Sequence, residues 1–313
     1  MSQFNPLQRT SEAHAYIEIE KFVDLVISTS DMPFYIEENS NQLIVVPRLL
    51  SKKFHTLTRY WNHFSSDYDF EVHIQLYWDA CRFVGVLDGN GVTEVGMAYG
   101  PMIHAHAYAV NDLVSFIRCE ADRNRFKRSA HDRKYQASEK SCSIEVFIKE
   151  AMARYSKSLI VRVDLGYPKE HSHRVTIADM YDHIDAFLAC KGSSEAFAGL
   201  VGYAVAIEQG VDRGYHAHFV AVIDGNKYCN EWHRGTLFAA LWDRLIGNAR
   251  GSHICMHHPE LYGPKGVGHF RRDEPETHFG VVKTAQYLTE YKEDQYLRAK
   301  PRGRRVFRSY PLR

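Results

Sequence analysis

The segment Glu208-Gln-Gly-Val-Asp-Arg-Gly-Tyr-His216-Ala-His218-Phe-Val-Ala-Val-Ile-Asp224 places two histidines at the start of an apolar run. Successive side chains of a β-strand point to opposite faces, so His216 and His218 project from the same face. Two imidazoles held side by side in this way can bind one metal ion. The segment therefore predicts a strand that also serves as a metal platform.

The run from Leu200 to Glu208 predicts a second strand, which pairs with the histidine strand across a loop. One of its faces is apolar and belongs to the core, whereas the other is small and ends in the Glu208 carboxylate. Pairing brings Glu208 close to His216 and His218. Two histidines and one carboxylate with open positions are typical of a catalytic metal site, and these donors suit Mn2+, Mg2+ or Zn2+.

A second pair with the same spacing occurs at His104-Ala-His106. It follows the break at Gly100-Pro101, and the apolar run after it is short. Its nearest upstream carboxylate, Glu94, lies on the far side of that break. We therefore assign the metal site to the later pair.

The whole chain is typical of a globular protein, with 313 residues of which 45% are hydrophobic. Its six cysteines are scattered and form no CxxC pair, which argues against a disulfide framework or a thiolate zinc site. It contains no apolar stretch of the roughly 20 residues that span a bilayer, and its start lacks a signal-peptide layout. These features predict a cytoplasmic protein without a membrane partner.

Basic residues are concentrated at the C-terminus, although the formal net charge is only +1. No carboxylate side chain occurs in residues 298–313, and segregated positive charge of this kind suits a phosphate backbone. A solvated, frayed tail is the alternative interpretation. The candidate DNA contacts in this tail are Arg302, Arg304, Arg305 and Arg308.

Pattern changes along the chain predict an α+β protein. Residues 1–112 are predicted to form an N-terminal accessory α+β region with an antiparallel meander, including strands at 70–78 and 82–87. Residues 113–157 are predicted to form a charged helical connector. Residues 158–297 alternate strands and helices, which predicts an antiparallel sheet of about five strands with helices packed on it. Residues 298–313 form the basic tail.

A helix predicted at about 281–295 carries Tyr287, Tyr291 and Lys292. Residues four apart lie on one helix face, so both tyrosine hydroxyls emerge together. A tyrosine attacks phosphorus at neutral pH only with help from a metal or a basic group, because its pKa is near 10. The metal site would polarise a phosphate, and Lys292 would stabilise the developing charge. An amphipathic core stripe is the alternative. Tyr296 is a third tyrosine, placed around the helix from the others.

Together these motifs resemble those of the HUH rolling-circle replication endonucleases. The order is Val161-Arg-Val-Asp-Leu165, then Glu208 with His216-Ala-His218, then Tyr287-Leu-Thr-Glu-Tyr291-Lys292. More narrowly, the chain resembles the replication-initiation proteins of filamentous phages and their prophage relatives. The resemblance covers roughly residues 145–309 and gives no account of residues 1 to about 110.

The resemblance implies a five-stranded sheet with the histidines on a central strand and the tyrosine helix lying across it. A divalent ion, Mg2+ or Mn2+, would assist one tyrosine in nicking single-stranded or origin DNA in a bacterial host cell. The products would be a 5′-phosphotyrosine and a free 3′-hydroxyl that primes synthesis, and a second tyrosine would permit strand transfer. A host helicase or other replication proteins are further candidate partners. Two-tyrosine members often carry lysine before the second tyrosine, where this chain has Glu290, which makes the role of Tyr291 less secure than that of Tyr287.

Three alternatives remain open at this point. A relaxase or transposase would use the same chemistry for DNA transfer or transposition instead of replication. A DNA-binding protein without catalysis would use Glu208 and the histidines as structural residues. A metallohydrolase would activate water and would need no tyrosine.

Overall fold

The computed structural model describes residues 11–39, 42–88, 91–93, 103–123, 126–128, 132, 145–247, 249–255, 266–274 and 296–311. The chain folds as two compact units, Met1–Asp132 and Arg133–Arg313. The predicted boundary at residue 112 falls inside a helix that continues to Ala121, so the first unit extends beyond it.

The N-terminal unit is mostly helical. Its helices are α1 Glu12–Ser28, α2 Leu49–Leu57, α3 Val72–Phe83 and α4 Ile103–Ala121, with a 3-10 turn at Thr58–His63. Its strands are short: β1 Phe34–Asn39, β2 Gln42–Pro47, β3 Tyr68–Phe70, β4 Leu87–Asp88 and β5 Gly91–Val92. Antiparallel hairpins join β1 to β2 and β4 to β5.

The predicted strand at 70–78 is wrong, because most of it lies in α3, and the predicted strand at 82–87 begins in the last turn of that helix. Glu71 caps α3 by accepting a hydrogen bond from the His73 backbone N–H. Alternating polar and apolar residues suggested a strand, but the helical spacing of Ile74, Tyr77 and Cys81 gives one buried stripe. Over this short run the apolar residues fit both the strand period and the helix period. Packing against the other helices of this unit favours the helix.

The C-terminal unit is built on a six-stranded antiparallel sheet. Its strands are β6 Lys157–Leu165, β7 Leu200–Gly210, β8 Gly214–Asp224, β9 Ser252–Cys255, β10 Gly268–Arg271 and β12 Phe307–Pro311. The order is β10, β6, β8, β7, β12, and β9 also pairs with β6. A short strand, β11, spans Ala299–Pro301. The α+β class and the antiparallel sheet predicted for this part of the chain are confirmed.

The described part of this unit also contains four helices: α5 at residues 145–153, α6 Lys169–Ser172, α7 Ile177–Ala189 and α8 Glu231–Leu245. Thr176 is the N-cap of α7, and Thr176 and Asp179 form a reciprocal capping box. Short 3-10 turns at Cys190–Gly192 and Glu195–Phe197 lead into β7.

Strand β8 lies in the middle of the sheet and is buried along its whole length. On one face Phe219 contacts Phe187 of α7 and Phe238 of α8 at ring-centroid distances of 5.1 and 5.0 Å. On the other face Val220 and Val222 belong to a cluster with Phe147 and Ile148 of α5. The two histidines share this second face and lie nearer the start of the strand.

Across the described ranges, no helix combines the length and the apolar character that crossing a bilayer requires.

A buried histidine of the N-terminal unit, His73, lies between two carboxylates. Its Nδ1 is 3.0 Å from Glu71 Oε2, and its Nε2 is 3.3 Å from Asp24 Oδ1. Burial lowers the pKa of His73, but the hydrogen bonds and charges of Asp24 and Glu71 outweigh it and raise the pKa from 6.5 to about 9. The imidazolium therefore stabilises the folded unit.

This stabilisation should be fully present below pH 6.5 and disappear as the pH rises through about 9, because the folded state holds the proton more tightly. Asp24 is largely exposed, so we expect a contribution on the order of 1–2 kcal/mol. Chemical unfolding at pH 6 and pH 10 should show the loss in the native chain but not in His73→Gln. The exposed His55→Gln serves as the control, and an equal pH dependence in the native chain and His73→Gln would contradict the assignment.

Candidate metal centre

The register of the β7–β8 hairpin brings the three predicted ligands together. Glu208 lies directly opposite His216, and its neighbour on the same face, Ala206, lies opposite His218. Glu208 Oε2 is 3.1 Å from His218 Nε2 and 3.6 Å from His216 Nε2. Ligand atoms of all three residues lie within 4.8 Å of one another, as a shared metal ion requires.

His216 presents its Nε2 atom to this cluster. Its Nδ1 lies 3.2 Å from the backbone carbonyl of Gly214. A carbonyl oxygen only accepts, so Nδ1 donates the proton of this contact. Nε2 faces the Glu208 carboxylate, and a cation between them would be bound by both groups.

His218 is oriented by a buried carboxylate on the neighbouring strand. Asp164 of β6 lies opposite His218, and its Oδ1 accepts a hydrogen bond of 2.6 Å from His218 Nδ1. Arg162 Nη2 donates to the same oxygen at 3.0 Å. Metal-binding histidines commonly donate their second nitrogen to a carboxylate or carbonyl in this way, which fixes the ring and its tautomer. Both histidines of the cluster have such a partner.

The groups around Glu208 and Asp164 favour the ionised form of both carboxyl groups. Burial would raise the pKa of the Glu208 carboxyl, but hydrogen bonds and charge from His216 and His218 lower it to about 2. Burial likewise opposes ionisation of Asp164, and contacts with His218 and Arg162 nevertheless hold its pKa far below the usual range. Burial lowers the pKa of His218, but Asp164 and Glu208 raise it overall. Both carboxylates are therefore ionised at neutral pH.

Arg162 and Asp164 are further candidate residues of the site, and the motif Val161–Leu165 that contains them does not by itself indicate their role. They occupy alternate positions of an otherwise apolar strand and are 9% and 5% exposed. Polar residues two apart within an apolar strand predict a polar patch on one face of the sheet. This spacing is the sequence feature that points to the two residues.

A second group of potential ligands occurs in the N-terminal unit, where atoms of Glu20, Glu71 and His73 also lie within 4.8 Å of one another. Here Glu71 already caps α3, and both ring nitrogens of His73 face carboxylates. These contacts fit the ion-paired structural role described above.

The predicted nucleophile residues Tyr287, Tyr291 and Lys292 lie outside the described residues. The chain that follows them is fixed to strand β7, because the buried side chain of Gln209 accepts a hydrogen bond from the Arg298 backbone N–H at 3.0 Å. Side chains alternate along a strand, so this contact lies on the sheet face opposite the Glu208 carboxylate. Arg298 comes seven positions after Tyr291 and eleven positions after Tyr287. Tyr296 itself stacks under the Arg298 guanidinium at 4.3 Å.

Tyr167 is a described tyrosine close to the cluster. It lines a cavity together with His216, but its hydroxyl is 2.8 Å from His183 Nδ1 and its ring packs near Trp242. Burial raises the pKa of this hydroxyl far above its usual value. Tyr167 is therefore a poor nucleophile and serves as part of the wall.

The earlier HxH pair lies on helix α4 rather than on a strand. Residues two apart on a helix point about 200° away from each other, so His104 and His106 do not converge. His104 is exposed, whereas His106 is buried with Phe34 and Phe54 near its ring.

The four arginines predicted to contact DNA fall into two groups. Arg304 and Arg308 are both ion-paired with Asp185 of α7, and their guanidinium groups lie over the Tyr181 ring. This pairing ties the C-terminal segment to the helix layer. Arg302 and Arg305 are exposed, so the prediction of DNA contact is carried forward for these two side chains.

Asp164→Asn should weaken metal binding roughly 10- to 100-fold, because an amide orients the His218 ring less strongly than a carboxylate. Calorimetric titration of the full chain with Mn2+ checks this. Asp224→Asn is the matched control, since Asp224 is equally buried at the far end of β8. Equal affinities in the native chain and Asp164→Asn would rule out the orienting role.

Comparison of the chain with protein-family models, with curated proteins and with solved structures found no match in any of the three. The geometry of the cluster and the motif order in the sequence are therefore the features that indicate a function.

Proposed function

We propose that the protein is a divalent-metal-dependent HUH-type endonuclease that nicks single-stranded or origin DNA to initiate rolling-circle replication. The observation that carries the proposal is the convergence of two histidine Nε2 atoms on the Glu208 carboxylate, on one face of an antiparallel sheet. Its proposed setting is the bacterial cytoplasm.

Glu208, His216 and His218 would hold the ion, with Asp164 and Gly214 orienting the two rings. A bound Mg2+ or Mn2+ would supply Lewis-acid polarisation of the scissile phosphate. The set contains two nitrogen donors and one oxygen donor, and it leaves positions open for phosphate oxygens.

The proposed nucleophile is Tyr287. Its hydroxyl oxygen attacks phosphorus and loses its proton, the bond from phosphorus to the 3′-oxygen breaks, and a 5′-phosphotyrosine and a 3′-hydroxyl result. Lys292 would stabilise charge on the phosphate, and Tyr291 would accept the strand in a second transfer. The assignment is supported by the order of the motifs in the sequence, in which Tyr287, Tyr291 and Lys292 follow the strand that carries the two histidines.

A metallohydrolase that activates water is the second candidate. It is favoured by the completeness of the metal cluster without any tyrosine. The two functions differ in their products, because water leaves a free 5′-phosphate whereas a tyrosine leaves the protein attached to DNA.

The decisive experiment incubates the full chain with single-stranded oligonucleotides and Mn2+ or Mg2+, followed by denaturing electrophoresis. We expect a protein–DNA adduct that survives denaturation and requires the metal. Tyr287→Phe should abolish the adduct while leaving Mn2+ affinity unchanged, and His218→Ala should abolish both. Tyr155→Phe is the control, since Tyr155 is an exposed tyrosine of the same unit.

Cleavage without an adduct would identify the water-using hydrolase. Absence of both adduct and cleavage with every DNA and with either metal would refute the endonuclease proposal.

The two groups of arginines should respond differently to substitution. Arg302→Ala and Arg305→Ala should each reduce the slope of log affinity against log salt by about 0.7, as expected for one lost contact to single-stranded DNA. Arg304→Ala and Arg308→Ala should instead lower the free energy of unfolding by about 1 kcal/mol, because they break the Asp185 pairs. Salt-dependent anisotropy and urea unfolding measure the two effects, and a stability loss in the first pair alone would reverse the assignment.

A further inference from the structure

A cavity of about 270 Å3 lies directly beside the candidate metal centre. His216 and Asp164 form the wall that it shares with the cluster. A group bound in the cavity would therefore lie next to a group bound at the metal centre. The other walls of the cavity determine which group fits there.

The remaining walls combine backbone, aromatic and cationic groups with one further carboxylate, Asp212. Gly166 and Gly251 approach closely, with the Gly166 N–H donating to the Gly251 carbonyl at 2.8 Å. A Cβ atom on Gly251 would lie 2.2 Å from the Gly166 carbonyl oxygen, so no side chain is accommodated there. Tyr167 contributes an aromatic ring, and Ser172 contributes a hydroxyl on short helix α6.

Two cations border the cavity. Arg213 lies in the β7–β8 turn, is 56% exposed, and holds Asp164 Oδ2 only at 3.8 Å. Lys169 is exposed at the start of α6. His218 and Arg162 both engage Asp164 Oδ1, and the 3.8 Å ion pair of Arg213 with Oδ2 is longer than a hydrogen bond, so the Arg213 guanidinium can also donate to a phosphate on a ligand.

We propose that this cavity binds the base of the nucleotide adjoining the scissile phosphate, with Arg213 contacting that nucleotide's phosphate. The inference rests on the proposed endonuclease function and adds a specificity-determining subsite to it. The cavity lies just below the roughly 300 Å3 at which pockets for drug-sized ligands begin, so it suits a single base and not a longer segment.

A base in this cavity must be unpaired. Enzymes that act at a defined nucleotide commonly take the base out of its stack and bind it between aromatic and apolar groups with hydrogen bonds to its edge. Tyr167 provides the aromatic wall. The N–H groups of Gly166 and Gly251 and the Ser172 hydroxyl already donate within the protein, so the two glycine carbonyls and the Ser172 oxygen would accept hydrogen bonds from an amino group of the base. The subsite thus accounts for a preference for single-stranded DNA near the cut.

The test measures binding of the four deoxynucleoside 5′-monophosphates and of 2-deoxyribose 5-phosphate to the full chain in EDTA, by calorimetry. We expect at least one nucleotide to bind about tenfold more tightly than the sugar phosphate, as one base stacked on an aromatic wall gives. Ser172→Phe should remove this base-dependent difference by filling the cavity. Arg213→Ala should weaken all five probes several-fold.

Arg271→Ala is the matched control, because Arg271 is 54% exposed in the same unit and lies outside the cavity lining. If Ser172→Phe does not fold, Lys169→Trp fills the cavity from an exposed position. Equal binding of nucleotides and sugar phosphate to the native chain would overturn the proposal, as would a base-dependent difference that survives in a folded, cavity-filled variant. The nucleotide titration contains no metal, whereas the adduct assay requires it. A failure of the cavity proposal can therefore be distinguished from a failure of the endonuclease proposal.

Discussion

The register of the β7–β8 hairpin is the constraint on which the candidate centre depends. Gly210 pairs with Gly214 at the turn, and Gly214 adopts a φ of +65°, in the left-handed region that glycine enters readily. This turn fixes Glu208 opposite His216. A slip of one residue would turn one strand over relative to the other and would move the carboxylate to the opposite face from the imidazoles.

Burial of two imidazoles on a central strand requires that their polar atoms be satisfied. At 3% and 2% exposure, His216 and His218 cannot rely on solvent. Each ring therefore receives a partner from the sheet itself: the Gly214 carbonyl for His216, and the Asp164 carboxylate for His218. The same contacts leave both Nε2 atoms directed at Glu208, so the contacts that make the histidines tolerable in the core also arrange them as ligands.

Sequence patterns predicted the sheet of the C-terminal unit better than the N-terminal unit. Long apolar runs with clear alternation, such as β7 and β8, fix both the element and the facing side chains. The run around α3 failed because its apolar residues satisfy both periods over a short window, and only the helical partners in the core decide between them. The roles of Asp164 and Arg304 depend on which strand or helix lies beside them, which spacing along the chain does not encode.

The outer strands of the sheet have a further consequence for solubility. Strands β10 and β9, of four residues each, pair with successive segments of the same edge of β6. Strand β12, at the other side of the sheet, has five residues. Long, flat edges invite pairing with another chain, whereas short ones offer few unpaired backbone groups. Among the described strands, the long apolar β8 is thereby shielded on both sides, which reduces the tendency of this sheet to aggregate.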